Sequence, residues 1–240
     1  MNRIPDKSID MILCDLPYGT TSCSWDTIIP FNELWAQYTR VIKKDGAIVL
    51  FGTEPFSSQL RLSNLPMFKY DWVWVKSKSG SAFTAKYRPV CKHEMISVFG
   101  KGILKYHPQM TEGEPYVRHY IGKEDRPNNH KFGFKDVISV NKGVRYPISV
   151  QFFQQKWRRQ DQLHPTQKPV ELCEYLIRTY TDEGDIVLDN CMGSGTTAVA
   201  CIRSGRHYIG FETDTDYCKT AEERIIETKR IYENTLENWL

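Results

Sequence analysis

One short segment near the start of the sequence carries residues that could do chemistry. Asp15-Leu16-Pro17-Tyr18 directly follows the apolar run Met11-Ile12-Leu13-Cys14. An aliphatic run that stops at Asp-x-Pro is typical of a buried strand ending in a loop, and open α/β sheets bind their ligands at such strand ends. Taken alone, Asp15 could be a solvated turn acid or a helix cap. With its neighbours, it is a candidate acceptor for hydrogen bonds from a ligand.

A second candidate site lies in the segment LDNCMGSGTTAVA, residues 188–200. A predicted strand ends at Asp189, and Gly193-Ser194-Gly195-Thr196 opens a predicted helix. The glycines let a ligand lie close to the backbone, and the helix start offers free N–H groups to an anion such as a carboxylate. Glu212 follows the next predicted strand, where an acid can accept hydrogen bonds from both ribose hydroxyls. A lone Gly-x-Gly would be only a tight turn, but this order of features indicates a nucleoside cofactor.

Alternating strand and helix patterns must position these two segments. Apolar runs predict strands at 11–14, 46–52, 70–75 and 94–100, and apolar residues near i, i+3 and i+4 predict a crossover helix over 31–43. Later in the chain, the patterns predict a helix, strand, helix, strand and long amphipathic helix at 168–181, 185–191, 195–205, 207–212 and 215–235. We therefore predict an α/β fold in which both ends of the chain share one parallel sheet.

The middle of the chain, residues 101–163, differs in character. It is rich in glycine, proline, asparagine and charge, with 12 Lys and Arg against 6 Asp and Glu, a local charge of +6. The rest of the chain has 20 against 23. Nine aromatic residues lie among the cations, a combination that suits a phosphate backbone and unstacked bases. These features predict a nucleic-acid-binding lobe, and a solvated, loop-rich insertion is the alternative.

The composition argues against several other classes of protein. The chain has 240 residues, of which 40% are hydrophobic and 25% charged, as expected for one α/β domain with an inserted lobe. No apolar stretch reaches the roughly 20 residues of a membrane helix and no secretory leader opens the chain, so we expect a cytoplasmic protein. Seven cysteines without a C-x-x-C pair and six histidines without ligand spacing predict neither a disulfide framework nor a metal site.

Four ordered motifs resemble one known family, the beta group of S-adenosylmethionine-dependent DNA amino-methyltransferases. DLPY (15–18) resembles their catalytic motif, commonly D-P-P-Y, and HPTQKPVEL (164–172) resembles their segment leading into the cofactor half. MGSGTTAVAC (192–201) and GFETDTDYCKTAEERI (210–225) resemble their two cofactor motifs. The resemblance covers about residues 5–226 except the middle lobe. It implies a Rossmann-like methyltransferase fold with a permuted motif order, in which the catalytic half precedes the cofactor half.

The resemblance also implies roles for regions and residues. It implies a catalytic half at 1–100, a target-recognition lobe at 101–163 and a cofactor half at 164–240. The implied residues are catalytic Asp15, Leu16, Pro17 and Tyr18; cofactor-binding Thr166, Lys168, Asp189, Met192, Gly193, Ser194, Gly195, Thr196 and Glu212; and Lys76 beside the DNA. Arg158 and Arg159 are predicted to bind DNA on their chemistry, because planar, permanently charged guanidinium groups suit phosphate, and a solvated charge run is the alternative. The implied cofactor is S-adenosylmethionine without a metal, and the implied partner is double-stranded DNA. A homodimer and a cognate restriction endonuclease stay open as further partners.

The resemblance gives the first motif a definite chemistry. An exocyclic base amine is a poor nucleophile because its lone pair is conjugated into the ring. The Asp15 carboxylate and the Leu16 carbonyl can accept the amine hydrogens and so localise that lone pair. Pro17 fixes the loop, and Tyr18 offers a face on which a base flipped out of the duplex can stack. Asp rather than Ser at the first position of the motif implies adenine as the target.

Other activities stay open on the sequence alone. A cytosine-N4 methyltransferase is the nearest alternative, and a catalytically silent DNA-binding partner is another. A protein-glutamine methyltransferase would more typically show Asn at position 15, and a nicotinamide oxidoreductase would carry its glycine loop early in the chain. Cys191 replaces a Phe of many relatives, which predicts a thinner wall beside the cofactor's adenine. Relatives also usually carry an extra strand and a short acidic turn before the segment that begins at Ile4, so either the sequence starts late or we expect weaker cofactor binding.

Overall fold

A computed structural model describes residues 1–20, 26–78, 85–120, 137–154 and 167–237 of the chain. Its elements, in chain order, are β1 (Ile9–Cys14), α1 (Phe31–Val41), β2 (Ile42–Gly52), α2 (Phe56–Ser63), β3 (Phe68–Lys76), β4 (His93–Phe99), β5 (Thr111–Glu112), β6 (Tyr116–Tyr120), β7 (Val137–Asn141), β8 (Val144–Arg145), β9 (Val150–Phe153), α3 (Val170–Tyr180), β10 (Ile186–Asp189), α4 (Thr196–Arg203), β11 (His207–Gly210) and α5 (Thr215–Glu237). The chain divides into two compact units. The first comprises Met1–His107 and Ser149–Leu240, and the second comprises Pro108–Ile148.

A seven-stranded sheet in the order β11-β10-β1-β2-β4-β3-β9 forms the centre of the first unit. The strands β11, β10, β1 and β2 pair in parallel, so both ends of the chain contribute to one sheet, which confirms the prediction from the alternating pattern. β4 is an exception, because it pairs antiparallel with both β2 and β3. The expectation of a wholly parallel sheet is therefore wrong at this strand. β3 and β4 are consecutive along the chain, and an antiparallel pair needs no crossover helix between its strands.

Helices cover the sheet on both faces. Ile12 and Cys14 of β1 pack with buried residues of α1 and α2 on one face. Met11 and Leu13 pack with α3 and α4 on the other. A strand that is buried on both faces reads as an unbroken apolar run, and this is the pattern that predicted β1. The sequence did not predict α2, because only Phe56, Ser57 and Leu60 of this short helix are buried and its apolar periodicity is weak.

The boundaries of the second unit differ from those predicted for the lobe. Residues 150–153 form β9, which pairs in parallel with β3 and belongs to the main sheet of the first unit. The second unit holds two small antiparallel pairs, β5 with β8 and β6 with β7. Within it, the guanidinium groups of Arg118 and Arg145 each lie 4.8 Å from the centre of the Tyr116 ring. In the described parts of the chain, no helix has the length and apolar content needed to cross a membrane.

Candidate active site

The sheet register brings the two candidate segments together. Met11 and Ile12 of β1 lie beside Val187 and Leu188 of the parallel strand β10. The residues that follow these strands therefore meet at one edge of the sheet, the usual ligand-binding edge of such folds. A cavity of about 470 Å³ opens there. Its lining includes Asp15, Leu16, Pro17, Tyr18, Asp26, Phe51, Trp74, Lys76, Glu94, Gln167, Lys168, Asp189, Asn190, Cys191, Met192, Gly193, Ser194, Thr196, Thr197, Phe211, Glu212 and Tyr217.

The first motif holds its acid in a defined orientation. The Tyr18 hydroxyl donates a hydrogen bond of 2.6 Å to Oδ1 of Asp15. Burial, followed by the negative charges of Asp15 and Glu94, raises the pKa of Tyr18 well above its usual value, so the phenol stays protonated and remains a donor. Leu16 belongs to the core cluster that includes buried residues of α1 and α2, and both Leu16 and Pro17 line the cavity.

An acid that the sequence reasoning missed anchors the loop after the motif. The carboxylate of Asp26 accepts hydrogen bonds from the backbone N–H groups of Gly19 and Thr20 at 2.8 and 2.9 Å. Gly19 has a φ of 68°, a backbone conformation that favours glycine. Asp26 lies beyond the quoted motif, and no pattern in the sequence singled it out.

Lys168, which the resemblance implies as a cofactor ligand, lies against the catalytic motif. Its Nζ is 2.5 Å from Oδ2 of Asp15 and 3.4 Å from Oε2 of Glu94. Burial by itself would lower the pKa of this lysine, but Asp15 and Glu94 outweigh it and raise the pKa above its usual value. Lys168 is therefore a buried ammonium group held between two carboxylates.

Glu94 extends this network and was not among the predicted site residues. Its Oε1 lies 2.5 Å from Nζ of Lys76, the lysine predicted to bind DNA. Burial by itself would raise the pKa of Glu94, but Lys168 and Lys76 outweigh it, so the pKa lies below its usual value. The only signal in the sequence was an acid at the start of the otherwise apolar run EMISVFG, and the β3–β4 register that places Glu94 beside Trp74 is a tertiary feature.

The glycine loop after β10 has the geometry that the sequence predicts. Gly193 and Gly195 have φ values of 51° and 80°, and Gly195 is the N-cap residue of α4. Other residues rarely adopt these values, so glycine is required for the turn. Met192 packs close to Gly210 at the end of β11, where an added Cβ would lie 2.1 Å from the Met192 sulfur. Both motifs thus depend on glycine for a close approach.

Asp189, at the end of β10, stabilises this loop through hydrogen bonds. Its carboxylate accepts hydrogen bonds from the Thr197 hydroxyl at 2.6 Å and from the Cys191 N–H at 3.1 Å. Burial raises the pKa of Asp189 to about 6, although these two hydrogen bonds act in the opposite direction. Asp189, a predicted cofactor-binding residue, therefore lines the cavity while its carboxylate is hydrogen-bonded to other groups of the protein.

Glu212 connects β11 to the glycine loop. Its Oε2 accepts the N–H of Gly193 at 2.7 Å, and its Oε1 accepts the N–H groups of Thr213 and Asp214 at 2.8 and 2.9 Å. A carboxylate has about four acceptor sites, so about one remains, on Oε2. This leaves room for one hydrogen bond from a ribose rather than the two expected from the sequence.

Arg224 of α5 is a further loop contact that the sequence reasoning did not single out, although it lies within the second quoted cofactor motif. Its Nη1 donates to the carbonyl oxygen of Ser194 at 2.5 Å and lies 3.0 Å from the Ser194 hydroxyl and 3.4 Å from that of Thr196. Burial lowers the pKa of Arg224 below its usual value. Ser194 and Thr196, both predicted cofactor residues, are thereby tied to α5.

The comparison with protein families identifies this arrangement. The sequence model of the DNA methylase family, which covers N6 and N4 methyltransferases, matches residues 9–223. The chain belongs to the N6/N4 DNA methylase family. As a member, it is a site-specific DNA methyltransferase that depends on S-adenosylmethionine. The resemblance of its four motifs to DNA amino-methyltransferases is confirmed.

Two curated relatives of this DNA methylase are type II methyltransferases. M.HpaI of Haemophilus parainfluenzae is 28% identical over an alignment that covers 94% of this chain and 70% of that protein. M2.LlaDCHI of Lactococcus lactis subsp. cremoris is 27% identical over 94% of this chain and 85% of its own length. The alignments thus include the middle lobe as well as both motif halves.

Solved structures share the fold. The M1.HpyAVI–SAM complex is 25% identical, with a TM-score of 0.60 over 91% of this chain and 89% of that chain. PvuII DNA methyltransferase (cytosine-N4-specific) is 16% identical, with a TM-score of 0.62 over 98% of this chain and 88% of that chain. The second likeness shows the fold alone. Together they confirm an α/β methyltransferase fold with a mostly parallel central sheet.

The cavity of this DNA methylase fits S-adenosylmethionine. Gly193 lines the cavity and has no side chain, so a nucleoside can approach the backbone there. The remaining acceptor site of Glu212 suits a ribose hydroxyl. Among the described residues, no group of three or more His, Cys, Asp or Glu side chains could hold a metal ion. Of the predicted site residues, Thr166, Arg158 and Arg159 lie outside the described residues.

Proposed function

We propose that this DNA methyltransferase methylates the exocyclic N6 amine of adenine at specific sites in double-stranded DNA. The observation that carries the proposal is the Asp15 carboxylate, which lies in the cavity with both oxygens held by the protein. In the family that the motifs resemble, aspartate at this position accompanies adenine, whereas serine usually accompanies cytosine. Asp15 and its contacts also argue against a catalytically silent DNA-binding partner.

Asp15 keeps enough acceptor capacity to bind an amine. Of the about four acceptor sites on a carboxylate, the Tyr18 hydroxyl and the Lys168 ammonium use two. The others can accept an amine hydrogen, and the Leu16 carbonyl can accept a second. Drawing both hydrogens into hydrogen bonds localises the nitrogen lone pair and aims it at the methyl donor. The Asp15 carboxylate is also a base that can hold the proton released by the amine.

The other half of the cavity is proposed to hold the cofactor. S-adenosylmethionine supplies an electrophilic methyl group on a sulfonium. Gly193 makes room for the nucleoside, Gly195 lets the loop pack closely against Ala221 of α5, and Glu212 accepts a hydrogen bond from the ribose. Because β1 and β10 are parallel neighbours, the two halves open to the same cavity, which gives the reaction its orientation.

The decisive experiment identifies the methylated nucleoside. The protein is incubated with labelled S-adenosylmethionine and unmodified DNA, and the digested DNA is analysed for N6-methyladenine and N4-methylcytosine. The Asp15→Ala variant should lose transfer while its cofactor affinity, measured by calorimetry, stays near that of the wild type. Labelled N4-methylcytosine would refute adenine as the target. Turnover near the wild-type rate in Asp15→Ala would refute the role of the carboxylate.

We further propose that the lobe at 101–163 binds DNA and selects the site. Its local charge of +6 and its aromatic content support this role. Neutralising Arg158 and Arg159 together should weaken binding to all duplexes alike and reduce the salt dependence of affinity, because phosphate contacts carry no sequence information. Exchanging the whole lobe for that of a relative should move the methylated site, as mapped by sequencing. An active chimera that still modifies the original sites would refute this role.

A further inference from the structure

Four charged side chains of alternating sign line one wall of the cavity. Nζ of Lys76 lies 2.5 Å from Glu94, Nζ of Lys168 lies 3.4 Å from the other oxygen of Glu94, and the same Nζ lies 2.5 Å from Asp15. The side chains of Glu94 and Lys168 are only 9% and 7% exposed. They come from β3, β4, the segment before α3 and the loop after β1, so the tertiary fold assembles the row.

The Lys168 ammonium is enclosed on several sides. Its Nζ contacts the carboxylates of Asp15 and Glu94, and the rings of Tyr18 and Phe51 lie 5.9 and 5.1 Å from it. An ammonium group has three donors, of which Asp15 and Glu94 can occupy two. These contacts hold the cation in one place beside Oδ2 of Asp15.

The position of the Lys168 ammonium limits the orientations that the Asp15 carboxylate can adopt. Oδ2 is held by Lys168 and Oδ1 by the Tyr18 hydroxyl. Rotating the carboxylate about its terminal bond would break one or both contacts. The two remaining acceptor sites therefore face a fixed direction, which is what an amine needs for in-line attack.

The Glu94 carboxylate that contacts Lys168 is buried, and removing this charge from water costs free energy. Its Oε2 is buried and has no hydrogen-bond partner among the residues that the structure describes, and the Lys168 ammonium lies 3.4 Å from it. Burying a carboxylate in this way rarely adds stability beyond what apolar residues would supply, because removing the charge from water offsets the attraction. Retention of such a charge in the catalytic cavity indicates a role in the reaction.

We propose that Lys168 is a positioning residue that orients the Asp15 carboxylate, and that Glu94 positions Lys168. The proposal rests on the proposed role of Asp15 as the acceptor for the target amine. It differs from the role implied by the sequence, in which Lys168 binds the cofactor. It applies equally to an adenine or a cytosine amine, so it does not depend on which base is methylated.

Three variants and one control test this role. Lys168→Met removes the cation, Glu94→Gln removes the charge that holds it, and the double variant removes both. Lys43→Met is the matched control, because Lys43 also pairs with a buried carboxylate, Asp10 at 2.6 Å, but neither lines the cavity nor lies in the proposed DNA-binding lobe. Each protein is compared with the wild type in kcat at saturating substrates, in calorimetric S-adenosylmethionine affinity and in urea unfolding.

Lys168→Met should lower kcat by about 100-fold or more, since misplacing a reacting group by about 1 Å can cost that much. Its affinity for S-adenosylmethionine should change by less than about tenfold, the smallest loss expected for a broken charged hydrogen bond. In Lys168→Met the buried Glu94 carboxylate loses the Lys168 ammonium and keeps Lys76 as an ionic partner, so removing its charge in the double variant should restore part of the stability, whereas kcat should stay low. Glu94→Gln should lower kcat by a smaller factor, and Lys43→Met should keep its kcat.

Three results would overturn the proposal. If kcat recovers together with stability in the double variant, Lys168 has a structural role only. If Lys168→Met loses tenfold or more in cofactor affinity and keeps its kcat, Lys168 is a cofactor ligand. If Lys168→Met changes neither, the network has no role in the reaction. Failure of the proposed function looks different, because Asp15→Ala would then keep its turnover whatever the lysine variants do.

Discussion

Replacing Asp189 with asparagine should stabilise the protein at neutral pH. The carboxyl group is buried at the end of β10, where it accepts hydrogen bonds from the Thr197 hydroxyl and the Cys191 N–H. Burial raises its pKa from 3.8 to about 6. Asparagine has the same shape as aspartate. Its amide oxygen can still accept the hydrogen bond from the Cys191 N–H, and the Thr197 hydroxyl can rotate to accept a hydrogen bond from the amide nitrogen. The substitution therefore removes a buried charge with little loss of hydrogen bonding.

The size of the effect follows from the two pKa values. In the unfolded chain Asp189 loses its proton near pH 3.8, whereas the folded protein keeps it until about pH 6. The folded state thus binds more protons in this interval, and the free energy of unfolding falls as pH rises through it. A pKa difference of about two units corresponds to a loss of about 3 kcal/mol in the free energy of unfolding by pH 7.5. Because asparagine does not titrate, the variant should gain about 3 kcal/mol at pH 7.5 and only about 0.5 kcal/mol at pH 4.

Urea unfolding of wild type and Asp189→Asn between pH 4 and pH 8 measures this difference. Asp10→Asn is the matched control, since the buried Asp10 carboxylate is paired with Lys43 at 2.6 Å and accepts the N–H of Ile186 at 3.0 Å. Removing that charge breaks a charged hydrogen bond and should destabilise the protein by about 1.5–3 kcal/mol at pH 7.5. The reasoning fails if Asp189→Asn is no more stable than wild type at pH 7.5, or if its advantage does not change with pH.

Three further predictions concern the cofactor half. Glu212→Ala should lose one charged hydrogen bond to a ribose and release the Gly193 N–H, which weakens S-adenosylmethionine binding by about 1.5–3 kcal/mol or more in calorimetry; an unchanged affinity would mean that the ribose lies elsewhere. Gly210→Ala should displace the Met192 thioether, which an added Cβ would meet at 2.1 Å, and weaken cofactor binding. Met192→Ala in the same chain should remove this clash and restore stability in urea unfolding, and no restoration would contradict this cause. Arg224→Met should free the glycine loop from α5 and lower cofactor affinity in the same titration, whereas equal affinity would show that the loop holds its shape alone.

Local patterns carry much of the fold and the outline of the site. A strand buried on both faces has to be apolar along its whole length, so Met11–Cys14 identified β1 without any knowledge of its neighbours. Likewise, a strand-to-helix turn that needs positive φ has to use glycine, so residues 193 and 195 marked the cofactor loop. The order of four motifs then indicated the family, which the family comparison confirms.

Only the tertiary structure decided which side chains meet. Lys168 and Asp15 are far apart in the chain, and the packing of α3, which begins just after Lys168, against β1 brings Nζ of Lys168 to 2.5 Å from Asp15. Glu94 faces Lys76 and Lys168 because β4 runs antiparallel between β2 and β3, a pairing that no short-range pattern encodes. Spacing along the chain determines local conformation, whereas contacts between distant residues depend on strand order and direction. For that reason the sequence by itself identified the catalytic and cofactor motifs. It did not reveal that Lys76, Glu94, Lys168 and Asp15 form one row of charged side chains.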